Sequence, residues 1–354
     1  HPEGIPRIEY DADGNLLGLL IEESRTNLVT YSEDFSQSAW AKTAATVSGG
    51  VTAPDGSTAT KLIASATTGF HFTLFSATMG AATHTASCYM KAGEYTTGSI
   101  FLSQSGNFGG VFDLSAETAT ASGTGNTATI EDVGNGWYRC SVTNDGSADL
   151  VNQFRIGVAN GALDSFTGDG TSGIYIYGAQ LEAGSFPTSY IKTTGSTTTR
   201  SADVASIPVS DFGYNQSEGT LFVEASLFNT TGSTTTMDIN DGTTSNRILI
   251  NSRREYASGS SGAVITSGAN QTSSFSNLSG ANPSKVSLAY AQSDFATSAN
   301  GSAVTTDTSG SVASGLTTVQ IGNNPSNQYV GGHIKSIKYI PKRLSNAKLQ
   351  ELTS

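Results

Sequence analysis

The feature that most constrains this chain is its succession of short apolar runs, each of strand length and each closed by a turn signal. ATKLIAS (59–65), GFHFTLFS (69–76), THTASCYMKAG (83–93), TGSIFLSQ (97–104), GGVFDLS (109–115), TATIEDV (127–133), GWYRCSVTN (136–144), NQFRIGVAN (152–160) and SGIYIYGAQLEAG (172–184) follow one another. Asn135-Gly136, Asp145-Gly146 and Asn160-Gly161 punctuate the series, and both residue types tolerate the backbone that tight turns need. No run carries helical periodicity. Many short strands at regular spacing predict antiparallel sandwiches or jelly rolls. The alternation is imperfect in places: Phe70, Phe72 and Leu74 share one parity and Phe75 breaks it. Composition agrees. Gly accounts for 40 of 354 residues, Ser and Thr recur throughout, and charged residues are only 13%, all of which disfavours long helices.

A second series restarts near Gly219: GTLFVEASLF, TTMDIND, NRILINS, GAVITSG, KVSLAYAQ, SDFATSANGSAV, TTVQIGNN and GGHIKSIKYIPKRL. Between the two series lies TTGSTTT (193–199), a polar stretch suited to a linker. The expected division is an N-terminal arm over 1–27, a sandwich over 28–192, a linker over 193–203 and a jelly roll over 204–354. The arm has little apolar content before Leu16 and is expected to pack on another part of the protein or on a sister chain. One helix is predicted, LSNAKLQELT, with Ser345 as its N-cap and Leu349 and Leu352 inward. The first residue is His1, so a processed product or a fragment is expected, with no signal peptide.

Two segments carry a resemblance. Pro6–Trp40, PRIEYDADGNLLGLLIEESRTNLVTYSEDFSQSAW, resembles the opening segment of many phage virion proteins. Ile174–Val204, IYIYGAQLEAGSFPTSYIKTTGSTTTRSADV, resembles the end of the domain that follows it in those proteins. Residues of about 27–192 further resemble sandwich-type carbohydrate-binding modules, and about 219–354 resemble the concanavalin A-like lectin and glucanase jelly rolls. The resemblance implies an all-β virion appendage, a head spike or tail fibre. It implies host cell-surface polysaccharide and other virion proteins as partners, and a homo-oligomer, trimer favoured. A structural head-decoration or tail-assembly role and a glycan depolymerase are the alternatives.

The residues themselves narrow the chemistry. Net charge is −11, and the 18 Lys and Arg are scattered, with adjacent pairs only at Arg253–Arg254 and Lys342–Arg343. That excludes a duplex-binding footprint, which needs clustered cations. No apolar run approaches the ~20 residues of a membrane-spanning helix. A glycanase needs two carboxylates across the scissile bond. Glu224 and the DINDG segment, read as a turn, are the nearest candidates and form no such motif, and Glu22-Glu23 diverge on a strand, so no enzyme is expected. His1, His71, His84 and His333 lack metal-ligand spacing. Cys88 and Cys140 lie in strand-like runs, as two small buried hydrophobes or as a pair.

Sugar recognition uses aromatic faces with polar side chains at their rims. Tyr95, Phe108, Tyr256 and Tyr329, flanked by Gly and polar residues, are the candidate carbohydrate contacts. Trp40 and Trp137 are expected in cores. No cofactor is required. Structural calcium is left open, with Asp169, Asp238 and Asp241 in acidic, Gly-containing loops as candidate ligands.

Overall fold

The computed structural model describes residues 4–11, 13–77, 82–102, 109–145, 153–161, 165–228, 235–252, 260–275 and 282–354. The chain is all-β, as the short alternating runs require, with one short helix among the described residues. It divides into two units: His1–Glu23 with Ala202–Ser354, and the central stretch Ser24–Ser201.

The central unit is built from two antiparallel sheets. The first runs Thr118–Ser122, Gly109–Asp113, Thr97–Phe101, Gln153–Ala159, Thr68–Ser76 and Ser165–Thr167, and Trp40–Thr43 also pairs with Thr68–Ser76. The second runs Asn126–Asp132, Trp137–Asn144, His84–Lys91, Gly173–Ala183, Thr58–Ala64 and Ala45–Thr52. Alternate residues of both close over one apolar core, among them Phe35, Trp40, Leu62, Met90, Ile100, Phe112, Val142, Phe154 and Ile176. Trp40 is fully buried among Phe35, Phe75 and Phe154, at 4.9, 5.6 and 5.8 Å between ring centroids. Cys88 and Cys140 face each other on neighbouring strands as free, buried thiols, and burial pushes Cys88 up to about 12 and raises Cys140 too. His71 is buried as well, its two ring nitrogens set against the carbonyls of Ala44 and Phe166.

The other unit pairs Ile8–Tyr10, Leu16–Ile21, Gly332–Ile340, Glu218–Leu227, Ser284–Ala291, Asp294–Ala299 and Thr305–Asp307 in one sheet. Ala205–Pro208, Thr318–Ile321, Thr235–Asn240, Arg247–Asn251, Ser260–Thr266 and Ala269–Phe275 form the second. Leu221, Val223, Ile239, Ile248, Val286, Leu288, Tyr290 and Phe295 fill the core. The helix spans Asn346–Thr353. Ser345 caps it by accepting from the Lys348 amide, and Leu349 packs on Ala289 and Ala296, while Thr353 rather than Leu352 is the second buried position.

Three local readings differ from the sequence expectations. The N-terminal stretch, expected as an arm, supplies three strands: Leu19–Ile21 pairs with Gly332–Ile334, Ile8–Tyr10 pairs with Leu16–Leu19, and Arg25–Asn27 is the third. The stretch expected as a linker is also paired, Thr198–Arg200 with Arg25–Asn27, so its polar residues make ladder hydrogen bonds. Asp238, expected in a turn, lies inside the strand Thr235–Asn240, because Met237 and Ile239 face the core, and the turn begins only at Asp241.

Several motif residues are held by side-chain hydrogen bonds within their own units. Arg7 donates to Glu22 (2.7 Å) and to Asp203, and Asp203 also accepts from the Glu22 amide (2.8 Å). Within the central unit, buried Asn27 donates to the carbonyls of Ala179 and Ile191 and accepts from the amides of Val29 and Leu181. Buried Glu182 accepts from Gln180, the Thr188 amide and the Thr188 hydroxyl. Asn27 and Glu182 thereby satisfy buried backbone groups that would otherwise lose their partners at a cost of about 1–3 kcal/mol each.

Candidate functional site

Alternation in the central unit's second sheet sorts side chains into two sets. Cys88 and Met90, Cys140 and Val142, and Ile174 and Ile176 enter the core. The intervening positions must therefore face outward, and they are Tyr89 and Lys91, Trp137 and Arg139, and Tyr175 and Tyr177. Register turns these into two cross-strand rows. Trp137, Lys91 and Tyr175 are consecutive partners, and so are Arg139, Tyr89 and Tyr177. Such neighbours sit within about 5.5 Å, close enough for rings and long stems to pack on one another.

Beyond Tyr177 the ladder slips, with a register shift between Tyr177 and Gln180. The inward parity moves from Ile174 and Ile176 to Ala179 and Leu181. Gly178 occupies the slip at φ +63°, and a Cβ there would come within 2.9 Å of the Tyr89 ring. The absent side chain makes room for a cluster of three rings. Tyr89, Tyr177 and Tyr190 lie 5.7–6.1 Å apart by centroid, and the Arg139 guanidinium sits 5.7 Å over Tyr89. Trp137 and Tyr177 are buried at the base of the cluster, while Tyr89, Tyr175 and Tyr190 are half-buried around it.

Polar groups converge on its edge. The Tyr177 hydroxyl stands 2.8 Å from Glu33 Oε1 and 2.7 Å from Asp55 Oδ2, one proton between two carboxylates. Tyr190 donates to the same Glu33 oxygen at 3.0 Å, and Lys192 Nζ lies 2.6 Å from the other. Burial, with hydrogen bonds to Asp55 and Glu33, pushes the Tyr177 phenol far above its ordinary range, and burial and the charge of Glu33 raise Tyr190. Although some desolvation opposes it, Asp55 is held below the usual carboxylate range by hydrogen bonds from Ser57 and Tyr177. Glu33 and Asp55 are close enough for a glycosidase pair. However, the space between them is filled by the Tyr177 hydroxyl, and Asp55 is not held protonated as a general acid must be.

Beside the rings lies a cleft of about 300 Å³, lined by Thr52, Pro54, Lys91, Val133, Asn135 and Trp137 among others. The Asn135-Gly136 turn, legible in the sequence, closes the hairpin between Asn126–Asp132 and Trp137–Asn144 and forms one wall. Trp137 Nε1 donates to the Thr52 carbonyl at 3.1 Å and fixes the indole at the floor.

The structure disperses the candidates expected from sequence. Phe108 and Tyr256 lie outside the described residues. Tyr95 is half-buried, edge-on to Phe166 at 5.1 Å, and packs on the main core; burial and the charge of Asp169 raise its phenol. Tyr329 is half-buried in the other unit, bridged to Asn323. For calcium the residues do not fit. Asp169 spends its oxygens on the Thr171 and Ser172 amides and the Ser172 hydroxyl, and these bonds lower its carboxyl. Asp241 does likewise with Thr243 and Asn246. Asp238 faces Arg247 at 3.2 Å instead of a loop. Among the described residues no three His, Cys, Asp or Glu side chains converge as a metal site.

No family model matches the sequence, and no curated protein matches it. Among solved structures, the CBM40 of Ruminococcus gnavus IT-sialidase bound to α2,3-sialyllactose is 14% identical, covering 40% of this chain and 84% of its own, with a TM-score of 0.34. The same CBM40 in a second structure is 14% identical over 39% and 84%, also at 0.34. Domains LG4–5 of the mouse laminin α1 chain are 8% identical over 98% and 97%, at 0.26. Likenesses this distant carry no argument about the site.

Proposed function

We propose that this chain is a non-enzymatic glycan-binding protein whose binding surface is the outward face of the strands His84–Lys91, Trp137–Asn144 and Gly173–Ala183. The observation that carries the reading is the pair of cross-strand rows, which set half-buried Tyr89 and Tyr175 beside a cleft lined by Trp137. Flat rings suit the apolar faces of pyranoses, and the polar rim offers partners for hydroxyls. Glu33 and Asp55 hold tyrosines in place instead of flanking an open reaction centre, which favours binding over hydrolysis.

The finer reading is a phage virion spike or fibre that engages host cell-surface polysaccharide. Its support is the sequence resemblance of Pro6–Trp40 and Ile174–Val204. An oligomer would multiply weak sites, since linked sites raise avidity by about 10²–10⁴ without new contacts. We place the assembly contact on the N-terminal hairpin, where Ile8, Tyr10 and Leu16 are exposed by 46%, 61% and 40%. The experiment is an array of bacterial surface polysaccharides probed with the chain and with Tyr89→Ala and Tyr175→Ala. Retention of specific polysaccharides by the native chain and their loss in both variants are expected. An array without specific binding would favour the structural, head-decoration or tail-assembly alternative, and release of new reducing ends would favour the depolymerase.

A further inference from the structure

Lys91 stands apart from the other lysines of this face. Lys61 is paired with Glu94 at 2.8 Å and Lys192 with Glu33 at 2.6 Å. Lys91 Nζ donates to a neutral partner, the Asn135 carbonyl, at 2.6 Å, and among the described residues no carboxylate lies within ion-pair distance of it. Two of its three N–H donors remain for a ligand. It is also the one charged side chain lining the cleft. The acids nearest in sequence to the cleft are engaged elsewhere: Asp55 with Ser57 and Tyr177, Asp132 with the Gly134 amide. The stem of Lys91 lies in the row between Trp137 and Tyr175, and the turn wall holds its head, with Gly136 leaving the approach open.

We propose that this cleft binds the anionic substituent, carboxylate or sulfate, of an acidic sugar, with Lys91 as the cation that selects it. The proposal rests on the glycan-binding reading of the same face. An unpaired ammonium in a concave, partly apolar site in a chain of net charge −11 is a local inversion of sign. Low-dielectric walls focus its field, and a charge-assisted hydrogen bond to an anion is roughly twice as strong as one to a neutral hydroxyl. The cleft volume, about 300 Å³, is at the lower end for small-molecule sites and suits a single sugar unit, with its neighbours lying over Tyr175 and Tyr89.

The test is calorimetric titration of the full chain, Lys91→Met and Lys91→Arg with trigalacturonate, galactotriose and a sulfated galactotriose, each variant first checked for an unchanged melting temperature. The native chain should bind at least one anionic trisaccharide about tenfold more tightly than galactotriose, and the gap should narrow as salt rises. Lys91→Met should abolish that gap, while Lys91→Arg should retain it. Preference for the uronate identifies carboxylate as the anion, and preference for the sulfated sugar identifies sulfate. Equal affinity for charged and neutral sugars, or a preference that survives Lys91→Met, overturns the proposal and leaves the glycan reading standing. Absence of binding to every sugar, here and on the polysaccharide array, overturns both.

Discussion

The two units solve the same folding problem and differ in what they place outside it. Each closes two antiparallel sheets over an apolar core. In the central unit, the outward positions of one sheet are aromatic: Tyr89, Trp137, Tyr175 and Tyr177, with a cleft alongside. In the other unit, the corresponding positions on Thr235–Asn240 and its neighbours are polar and buried: Thr236, Asp238 and Asn240, which point away from Met237 and Ile239. Asp238 meets Arg247 at 3.2 Å, and Asn240 donates to Gln320 at 3.0 Å. Among the described residues, Asp238 Oδ1 and Arg247 Nε have no hydrogen-bond partner. The inward residues specify the sandwich, and the outward residues decide whether a face can take a flat apolar ligand or becomes a buried polar layer. Function is therefore sought in outward parity, and fold in inward parity.

The largest effect should come from the tie that anchors the N-terminal strands. Glu22 is almost fully buried and is bound by Arg7, which also meets Asp203. Arg7→Ala should lower the stability of the unit containing Ala202–Ser354 by about 3 kcal/mol, since removing one partner of a buried ion pair is strongly destabilising. The transition of Ser24–Ser201 should not move, and differential scanning calorimetry resolves the two. If both shift together, the units are not energetically separate and the comparison drawn above loses its basis.

Asp238 gives a pH signature confined to the same unit. Burial raises its carboxyl to about 6, against an ordinary value of 3.8, although Arg247 opposes the shift. The folded state therefore holds this proton more tightly than the unfolded chain does. Its contribution is fully favourable below the unfolded value and declines as pH rises from about 4 to about 6, by roughly 3 kcal/mol in all. Urea unfolding should show that decline for the native chain, and Asp238→Asn should remove it. An unchanged pH profile in the variant would mean that another group carries it.

The smallest expected effect is on binding. Tyr175→Ala should weaken glycan affinity about tenfold, in the range expected for loss of one stacking ring. Because the ring is half-buried, the melting temperature of the central unit should fall only modestly. A large drop in stability with unchanged affinity would make Tyr175 a packing residue.

Much of this was legible in the sequence. The all-β class followed from run length and turn chemistry, the helix from Ser345, and the core position of Trp40 from the family-like motif it sits in. The aromatic face was legible in principle: once Cys88, Met90, Cys140 and Ile174 are assigned inward, Tyr89, Trp137, Arg139 and Tyr175 must face out. What alternation alone cannot supply is register, which places Trp137, Lys91 and Tyr175 in one row across strands far apart in sequence. Nor does it reveal the slip after Tyr177, or the approach of Glu33 and Asp55, which lie 144 and 122 positions from the hydroxyl they share. Of the aromatics singled out by flanking Gly and polar residues, Tyr95 and Tyr329 are half-buried and lie in different units. In the fold Tyr95 packs on Phe166.

The two tryptophans offer the most direct test of where glycan binds. Trp40 is sealed in the core, and Trp137 forms the floor of the cleft. Fluorescence should be titrated with an array-positive polysaccharide for Trp40→Phe, which leaves Trp137 as the sole reporter, and for Trp137→Phe, which leaves Trp40. A saturable emission change that persists in Trp40→Phe and vanishes in Trp137→Phe is the predicted result. A change that follows Trp40, or tight binding with no response from Trp137, would place the glycan elsewhere and contradict the account.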